Sequence, residues 1–177
     1  DIGGTFTDMA CFDESTGVIS FGKALSTHGE LVTGIQNTLD GAGIDLSQGY
    51  LFLHGSTIAI NTLLERNGAK TALLITEGFR DIYEIGRVNR PDAYNLFFSK
   101  HEPLVPRSLR YEVSERLRAD GSLHKPLDED AVRALARELK AKHIEAVAVL
   151  LLHSYRNPDH ERRVKAILQE EIPGAFV

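Results

Sequence analysis

The amino-terminal end of the sequence reads Asp1-Ile2-Gly3-Gly4-Thr5-Phe6-Thr7-Asp8. An aspartate stands at each end of this stretch, and the six residues between them include two glycines and two threonines. Glycine lacks a Cβ atom and adopts positive φ readily, so Gly3 and Gly4 predict a tight turn whose backbone can approach a ligand closely.

Two strands are predicted after this turn, Phe6 to Phe12 and Val18 to Ala24, joined at Glu14-Ser15-Thr16-Gly17. The glycines therefore belong to a hairpin and do not lie between a strand and a helix. This separates the turn from the glycine-rich loops of P-loop and dinucleotide-binding proteins, in which a helix N-terminus holds the phosphate.

The composition of the turn favours phosphate binding. Successive backbone N–H groups in such a turn form a concave site for an anion. Asp1 and Asp8 would repel a phosphate, but they suit a hydrated Mg²⁺ ion, which prefers oxygen ligands and keeps several waters. We therefore predict that the turn binds nucleotide phosphates through four residues, Gly3, Gly4, Thr5 and Thr7. An ordinary Gly-Gly hairpin turn is the alternative.

The overall composition excludes some classes of function. The 177 residues carry a net charge of −5, which argues against nucleic-acid binding, since this needs a basic surface. A single cysteine allows no intrachain disulfide, so we expect a cytoplasmic protein. No apolar run reaches the roughly 20 residues that span a membrane. The length suits one domain or one lobe of a larger protein.

A second motif follows a short apolar run. Tyr50-Leu51-Phe52-Leu53 is predicted to form a buried strand that leads into His54-Gly55-Ser56-Thr57 and a helix from Ile58 to Asn67. Because a helix start attracts anions, His54 is predicted to reach a substrate or a phosphate.

Six further residues are candidate substrate contacts: Ser56, Thr57, Asn61, Arg87, Arg90 and His153. Ser56 and Thr57 can equally serve as helix N-caps. The arginines can clamp an anion through paired hydrogen bonds, or they can lie in a solvated basic loop. Metal binding by His153 and His160 is a less favoured alternative.

The rest of the chain alternates strands and helices, which predicts an α/β fold with a mixed sheet flanked by helices. The predicted strands are Lys70 to Thr76, Leu109 to Val113 paired with Ser122 to His124, and a central strand from Ala146 to Leu152. The predicted helices begin at a capping box of Thr27 and Glu30, at Phe79, at Asp128 and at an Asn157 cap. Glu112, Glu115 and Arg116 are predicted to be solvated, and Arg80 to pair with Asp81 or Glu84.

The pattern Asp-x-Gly-Gly-Thr-x-x-Asp before a strand resembles the first phosphate loop of the actin, sugar-kinase and heat-shock-chaperone superfamily. Its form here is similar to the N-terminal region of the hydantoinase A/5-oxoprolinase family, which includes subunits of acetone and acetophenone carboxylases. Later stretches occur in that family's order: His54-Gly55-Ser56-Thr57, Asn61-Thr62-Leu63-Leu64-Glu65, Thr76-Glu77-Gly78-Phe79-Arg80-Asp81, Glu84-Ile85-Gly86-Arg87, Arg90-Pro91, His153-Ser154-Tyr155, Asn157-Pro158 and His160-Glu161.

The resemblance implies a ribonuclease-H-like (actin-like ATPase) lobe over residues 1–177. A strand upstream and a second ATP-binding lobe downstream are expected to lie outside this sequence, so the isolated fragment is expected to show no ATPase turnover. The resemblance also implies ATP and Mg²⁺ as cofactors and a hydantoinase B-type partner subunit or domain. Asp1, Asp8 and His54 are the implied catalytic residues.

The implied reaction is ATP-dependent ring opening of a cyclic amide, 5-oxoproline or a hydantoin, through phosphorylation of the carbonyl oxygen. Two alternatives stay open. The chain could belong to a subunit of an ATP-dependent ketone carboxylase of the acetone or acetophenone type, or it could be a non-catalytic actin-like module that binds nucleotide.

Overall fold

The computed structural model describes residues 1–27, 29–85, 94–98 and 102–177. The chain divides into two compact units, Asp1–Gly68 and Ala69–Val177. Helices accompany both parallel and antiparallel strand pairs, so the predicted mixed α/β class is confirmed. The described strands form separate sheets, however, and not one mixed sheet. Within the same ranges, no helix is long and apolar enough to cross a membrane.

The first unit contains β1 (Phe6–Asp13), β2 (Val18–Leu25), α1 (Leu31–Ala42), a short 3₁₀ helix (Leu46–Gln48) and α2 (Ile58–Glu65). β1 and β2 pair antiparallel along their whole length, which confirms the predicted hairpin. α1 lies close to β2, because a Cβ atom placed on Gly22 would be only 2.7 Å from the Thr38 carbonyl oxygen.

The start of α1 differs from the prediction. The helix begins at Leu31 after Glu30, with no side-chain capping bond, so the predicted capping box is wrong. Thr27 instead donates its hydroxyl to the Glu30 carbonyl at 2.5 Å. The hydroxyl is therefore used in the segment before the helix and does not accept a hydrogen bond from a first-turn N–H.

The apolar run Tyr50 to Leu53 forms no strand, so this prediction is also wrong. No described strand pairs with it. The exposed fractions of Tyr50 and Leu53 are 82% and 83%. An apolar run becomes a buried strand only where neighbouring strands and helices cover it, and none of the described residues do so here.

The second unit contains β3 (Thr71–Thr76), a 3₁₀ turn (Arg107–Leu109), β4 (Arg110–Val113), β5 (Arg116–Leu117), β6 (Leu123–Lys125), α3 (Glu129–Ala141), β7 (Ala146–Leu150) and α4 (Asp159–Glu171). Three parallel strands form its main sheet in the order β4-β3-β7. β3 is therefore the central strand, and five of its six residues are buried. The predicted central strand, β7, pairs with β3 on one side and makes a single bridge to Phe176 from Ala146.

The core of this unit lies between the sheet and the two helices. Leu74 of β3 is buried in one apolar cluster with Val132 of α3 and Ile167 of α4. The Asp128 carboxylate accepts the Ala131 N–H at 2.9 Å and caps α3, whereas Asp128 was expected within the first turn of this helix. The Asn157 side chain accepts the Asp159 N–H at 3.0 Å at the start of α4.

Three local predictions in this unit are wrong. β4 joins β3 in parallel, while the small hairpin pairs β5 with β6. Phe79 to Ile85 forms successive turns and not a helix. The carboxylates of Asp81 and Glu84 pair with Arg107 and Arg110, two cations in the β4 region that are brought close only by the fold. The Nε atom of Arg80 is left buried without a hydrogen bond among the described residues.

Candidate functional site

The two aspartates of the first motif lie directly opposite each other. The Asp1 main-chain nitrogen donates to the Asp8 carbonyl at 2.8 Å, and the Asp8 N–H donates to the Asp1 carbonyl at 2.9 Å. Directly opposed residues of an antiparallel pair project to the same face. The main-chain pairing therefore puts both aspartates on one face of the turn.

The glycines of the turn are needed for space and not for positive φ. Neither Gly3 nor Gly4 has a positive φ, so that part of the prediction is wrong. A Cβ atom on Gly3 would lie 3.1 Å from the Phe6 carbonyl oxygen, and one on Gly4 would lie 3.0 Å from Asn61 Nδ2. Within the described residues, the N–H groups of Gly4 and Thr5 donate no hydrogen bond. Two successive free N–H groups are the feature of an anion site.

The two threonines of the turn have different surroundings. Thr5 is exposed, whereas Thr7 is only 3% exposed, and its hydroxyl lies 3.2 Å from the Ser26 hydroxyl. Ser26 in turn donates to the Gly3 carbonyl at 2.8 Å. The burial of Thr7 corrects the expectation that it binds phosphate directly, because its hydroxyl faces the interior and supports the turn through Ser26.

The second motif lies against the first. Ile2 forms a parallel bridge with Ser56, and its N–H donates to the Gly55 carbonyl at 3.1 Å. The Ile2 carbonyl accepts the Thr57 N–H at the same distance. Two motifs that are more than forty residues apart in sequence are thus joined through the main chain of one residue.

The polar side chains of the second motif take part in local hydrogen bonds. Ser56 Oγ accepts the Ile58 N–H at 3.3 Å, but the N-cap position of α2 is held by Thr57, whose side chain makes no capping hydrogen bond. Thr57 donates its hydroxyl to the Ile2 carbonyl, and Asn61 donates its amide to the Thr57 hydroxyl, both at 3.4 Å. These contacts leave Asn61 beside Gly4, on the border of the turn.

His54 is exposed, and its ring stacks on that of Phe52, with the centroids 6.3 Å apart and the planes 8° apart. The preceding residues are in extended loop structure and not in the predicted strand. His54 is therefore the one predicted catalytic residue that is held by a side-chain stack and not by backbone pairing.

Sequence reasoning missed Lys23. It faces Asp8 across the hairpin, and its Nζ atom lies 3.1 Å from Asp8 Oδ1 and 4.6 Å from the centroid of the Phe6 ring. The signal was available, because the position of the Glu14–Gly17 turn fixes the register that pairs Asp8 with Lys23. An ammonium group at this place adds a positive charge to the edge of a site expected to bind phosphate.

The structure does not test the role of the remaining candidates. Arg87 and Arg90 lie outside the described residues. His153 belongs to the second unit, where it follows β7 with a φ of 63°. His160 Nδ1 lies 2.7 Å from Glu115 Oε2. No group of three or more histidine, cysteine, aspartate or glutamate side chains in the described ranges could hold a metal ion.

Comparison with known proteins agrees with the motif reading. The model of the hydantoinase/oxoprolinase N-terminal region matches residues 1–172. The chain belongs to the hydantoinase/oxoprolinase family. It is 36% identical to the caprolactamase alpha subunit of Pseudomonas jessenii over 187 aligned residues, which cover 100% of this chain and 27% of that subunit. It is 35% identical to the acetone carboxylase beta subunit of Xanthobacter autotrophicus, covering 97% of this chain and 26% of that subunit.

The fold agrees with that of a solved family member. The crystal structure of the ATP-dependent caprolactamase from Pseudomonas jessenii superposes with a TM-score of 0.78 and 34% identity, covering 99% of this chain and 27% of that chain. The chain thus spans about a quarter of the length of these relatives. The names of the relatives describe ATP-dependent amide hydrolysis and ketone carboxylation, carried out by proteins with more than one subunit.

Proposed function

We propose that the turn from Asp1 to Asp8 binds the phosphates of ATP together with a Mg²⁺ ion in a ribonuclease-H-like, actin-like lobe. We further propose that the full-length protein uses ATP to open a cyclic amide such as 5-oxoproline or a hydantoin. The observation that carries this proposal is the pair of opposed carboxylates beside two free backbone N–H groups. The two central residues of any two-residue hairpin turn leave their N–H groups free, so it is the opposed aspartates beside Gly4 and Thr5 that favour this function over an ordinary turn.

The donor set fits a magnesium ion. Two carboxylates on one face suit an ion that binds through one or two protein oxygens and keeps most of its waters. Lys23 already neutralises part of the charge of Asp8, and both side chains of this pair are more than half exposed. The pair is therefore weak and does not prevent a divalent cation from binding. When bound, the ion would neutralise the charge of the phosphates.

The backbone of the turn supplies the other half of the phosphate site. The free N–H groups of Gly4 and Thr5 can donate to phosphate oxygens, and the exposed Thr5 hydroxyl can add a third donor. The missing side chain of Gly4 leaves room beside Asn61, whose amide nitrogen would be 3.0 Å from an added Cβ atom. A phosphoryl-transfer site needs positioning and charge stabilisation more than covalent help, which such donors provide.

The proposed reaction transfers the γ-phosphoryl group of ATP to the carbonyl oxygen of the cyclic amide. A lactam carbonyl is a poor electrophile, and phosphorylation of its oxygen creates a good leaving group. Water then adds to the carbon, and the ring C–N bond breaks as the nitrogen takes a proton and leaves, which gives a ring-opened acyl phosphate. A second water hydrolyses this acyl phosphate to the carboxylate and inorganic phosphate. His54, Ser56, Thr57, Asn61, Arg87, Arg90 and His153 remain the proposed substrate contacts.

The test uses the full-length protein with its hydantoinase B-type partner. Phosphate release from ATP and Mg²⁺ is measured with 5-oxoproline, a hydantoin, caprolactam or no substrate. We expect one cyclic amide to stimulate the release. We expect Asp8→Ala to reduce it about 10²- to 10³-fold, as for the loss of one group that stabilises charge in a transition state.

Asp40→Ala is the matched control, since Asp40 is an exposed aspartate of α1 that contacts only Gln36 through its side chain. Equal rates for the two variants would contradict the proposed role of the turn. The isolated 177 residues are expected to show no turnover, and steady ATP hydrolysis by them would overturn that expectation.

A second candidate function is a subunit of an ATP-dependent ketone carboxylase. The 35% identity to the acetone carboxylase beta subunit favours it. Stimulation of ATP hydrolysis only by acetone or acetophenone, and only with bicarbonate and the partner subunit present, would select this function. Nucleotide binding with no turnover under any of these conditions would select the non-catalytic module.

A further inference from the structure

A cleft of about 550 Å³ is formed by residues of the second unit. The charged residues and histidines of its lining are Glu77, Glu115, Arg116, Arg118, His124, Lys125 and His153. Three of these seven are cations and two are carboxylates, although acidic residues outnumber basic ones in the chain as a whole. The cleft therefore has a small excess of positive charge.

Two arginines of this cleft form no ion pair with a carboxylate among the described residues. Arg116 and Arg118 stand on either side of Leu117, which is 1% exposed, and Arg116 is partly exposed while Arg118 is exposed. The guanidinium of Arg116 lies 4.5 Å from the centroid of the Phe79 ring and makes no ion pair among the described residues. Arg118 donates only to neutral groups, the Leu123 carbonyl at 3.0 Å and the Ser122 hydroxyl at 3.5 Å, and contacts His124.

The acidic residues of the cleft are already bonded. Glu77 pairs with Lys125 at 2.5 Å. Glu115 is fully buried, where it accepts the Thr76 hydroxyl and lies 2.7 Å from His160 Nδ1. These two bonds attach the start of β5 to the end of β3 and to α4, so the main chain before Arg116 is fixed. Neither carboxylate is available to neutralise the two arginines.

His153 gives a further reason to regard the cleft as a binding site. Its φ of 63° is a left-handed conformation that costs a non-glycine residue about 1–3 kcal/mol. This conformation places a histidine at the cleft, where the backbone leaves the end of β7. Strain of this kind is concentrated at functional sites.

We propose that this cleft binds a small oxyanion with two negative charges, a phosphate or a dicarboxylate, through Arg116 and Arg118. A guanidinium presents two parallel N–H donors that match two oxygens of a carboxylate or phosphate. The ring of Phe79 fixes the plane of Arg116, so little conformational entropy is lost when the anion binds. His124 and His153 supply additional donors at the sides.

The experiment measures anion binding to the full-length, nucleotide-free protein by isothermal titration calorimetry. Inorganic phosphate and malonate are titrated separately at constant ionic strength, with malonamide as the uncharged control. We expect saturable binding of at least one anion and none of malonamide. The anion that binds with the higher affinity, phosphate or malonate, identifies the class of oxyanion.

Variants of the two arginines test whether the anion binds in the cleft. Arg116→Gln and Arg118→Gln are each expected to weaken binding about tenfold or more, since each removes charge-assisted hydrogen bonds. Arg116→Lys keeps the positive charge but loses the two parallel N–H donors of the guanidinium, and it is expected to weaken binding less. Arg162→Gln is the matched control, because Arg162 is an exposed arginine of α4 whose side chain is 75% accessible and is not part of the cleft lining.

The same variants distinguish anion binding in the cleft from phosphate binding at the turn. Phosphate can also bind at Gly4 and Thr5, but that binding does not depend on Arg116 or Arg118. The proposal would be overturned if Arg116→Gln and Arg118→Gln bound the anion as tightly as Arg162→Gln does. It would also be overturned if no anion showed saturable binding. Thermal unfolding of each variant is recorded, and Arg118→Gln remains informative if Arg116→Gln is unstable, because Arg118 is exposed.

Discussion

The two units bury different kinds of groups. In the second unit, β3, α3 and α4 meet in one apolar cluster that includes Leu74, Leu139 and Ile167. Among the described residues of the first unit, only Ile2 and Leu39 are buried apolar side chains, whereas Phe21 is 76% exposed. The first unit is held together mainly by backbone pairing and close packing of main chains, and its candidate site is built from the same backbone bonds.

The candidate sites of the two units are accordingly held in different ways, one by main-chain hydrogen bonds and the other by side-chain contacts. The turn of the first unit holds its carboxylates by hydrogen bonds between main-chain atoms, so it needs small residues at Gly3 and Gly4. The cleft of the second unit holds its arginines with side chains, through the buried Glu115 and the ring of Phe79. The units should therefore respond to different substitutions.

The largest effect is expected from Glu115→Ala in the second unit. The change leaves the Thr76 hydroxyl and His160 without their buried partner, and each lost hydrogen bond of this kind costs about 1–3 kcal/mol. Hydrogen exchange of the β3 and β7 amides in the full-length protein measures the loss. Glu112→Ala is the matched control, since Glu112 is exposed and accepts only the Gly78 N–H. Equal exchange in the two variants would show that Glu115 does not stabilise this unit.

A smaller effect, confined to the first unit, is expected from Gly22→Ala. The added Cβ atom would lie 2.7 Å from the Thr38 carbonyl oxygen, a main-chain atom that moves only with α1. Overpacking of this kind costs about 1–3 kcal/mol. Exchange of the β1 and β2 amides should increase, while that of β3 should not. In Gly41→Ala the added Cβ meets nothing within 4 Å, and the helix should gain up to about 1 kcal/mol. A destabilised Gly41→Ala would contradict the packing argument.

The smallest effect concerns pH and the contact between α3 and α4. Arg163 donates to Glu129 at 2.7 and 2.6 Å, and these hydrogen bonds lower the pKa of Glu129 below its usual value. A carboxylate with a lowered folded-state pKa stabilises the fold above its unfolded pKa of about 4.3, and the contribution is lost as pH falls through the folded-state value. Urea unfolding should therefore distinguish wild type from Glu129→Gln at neutral pH but not at acidic pH. A difference that persists undiminished in acid would exclude the ion pair as its cause.

The sequence predicts the hairpin of β1 and β2 well, because a hairpin depends on local rules. Turn residues at 14–17 fix the register of β1 with β2, and that register also places Lys23 beside Asp8. Lys23 was missed because its neighbour lies on the other strand and no motif includes it. The start of α3 at Glu129 lies one residue from the expected start at Asp128, because acidic residues at a helix start are likewise a local signal.

The failures share a different cause, which is dependence on distant contacts. Glu115 follows the apolar alternation of β4 and was expected to be solvated, yet it is buried because the ends of β3 and α4 converge on it. The register shift between Arg116 and Leu117 cannot be read from residue types. Tyr50 to Leu53 has the composition of a strand, but no described strand pairs with it.

The hydrogen bonds of Ile2 have a consequence for mutagenesis of the site. Ile2 joins the turn to the second motif through its own N–H and carbonyl groups, and Asp1 and Asp8 are paired in the same way. The dimensions of the site are therefore a property of the main chain. Side-chain replacements at Asp1, Asp8 or His54 will change its charge and chemistry without changing its size, so their kinetic effects can be interpreted as losses of individual functional groups.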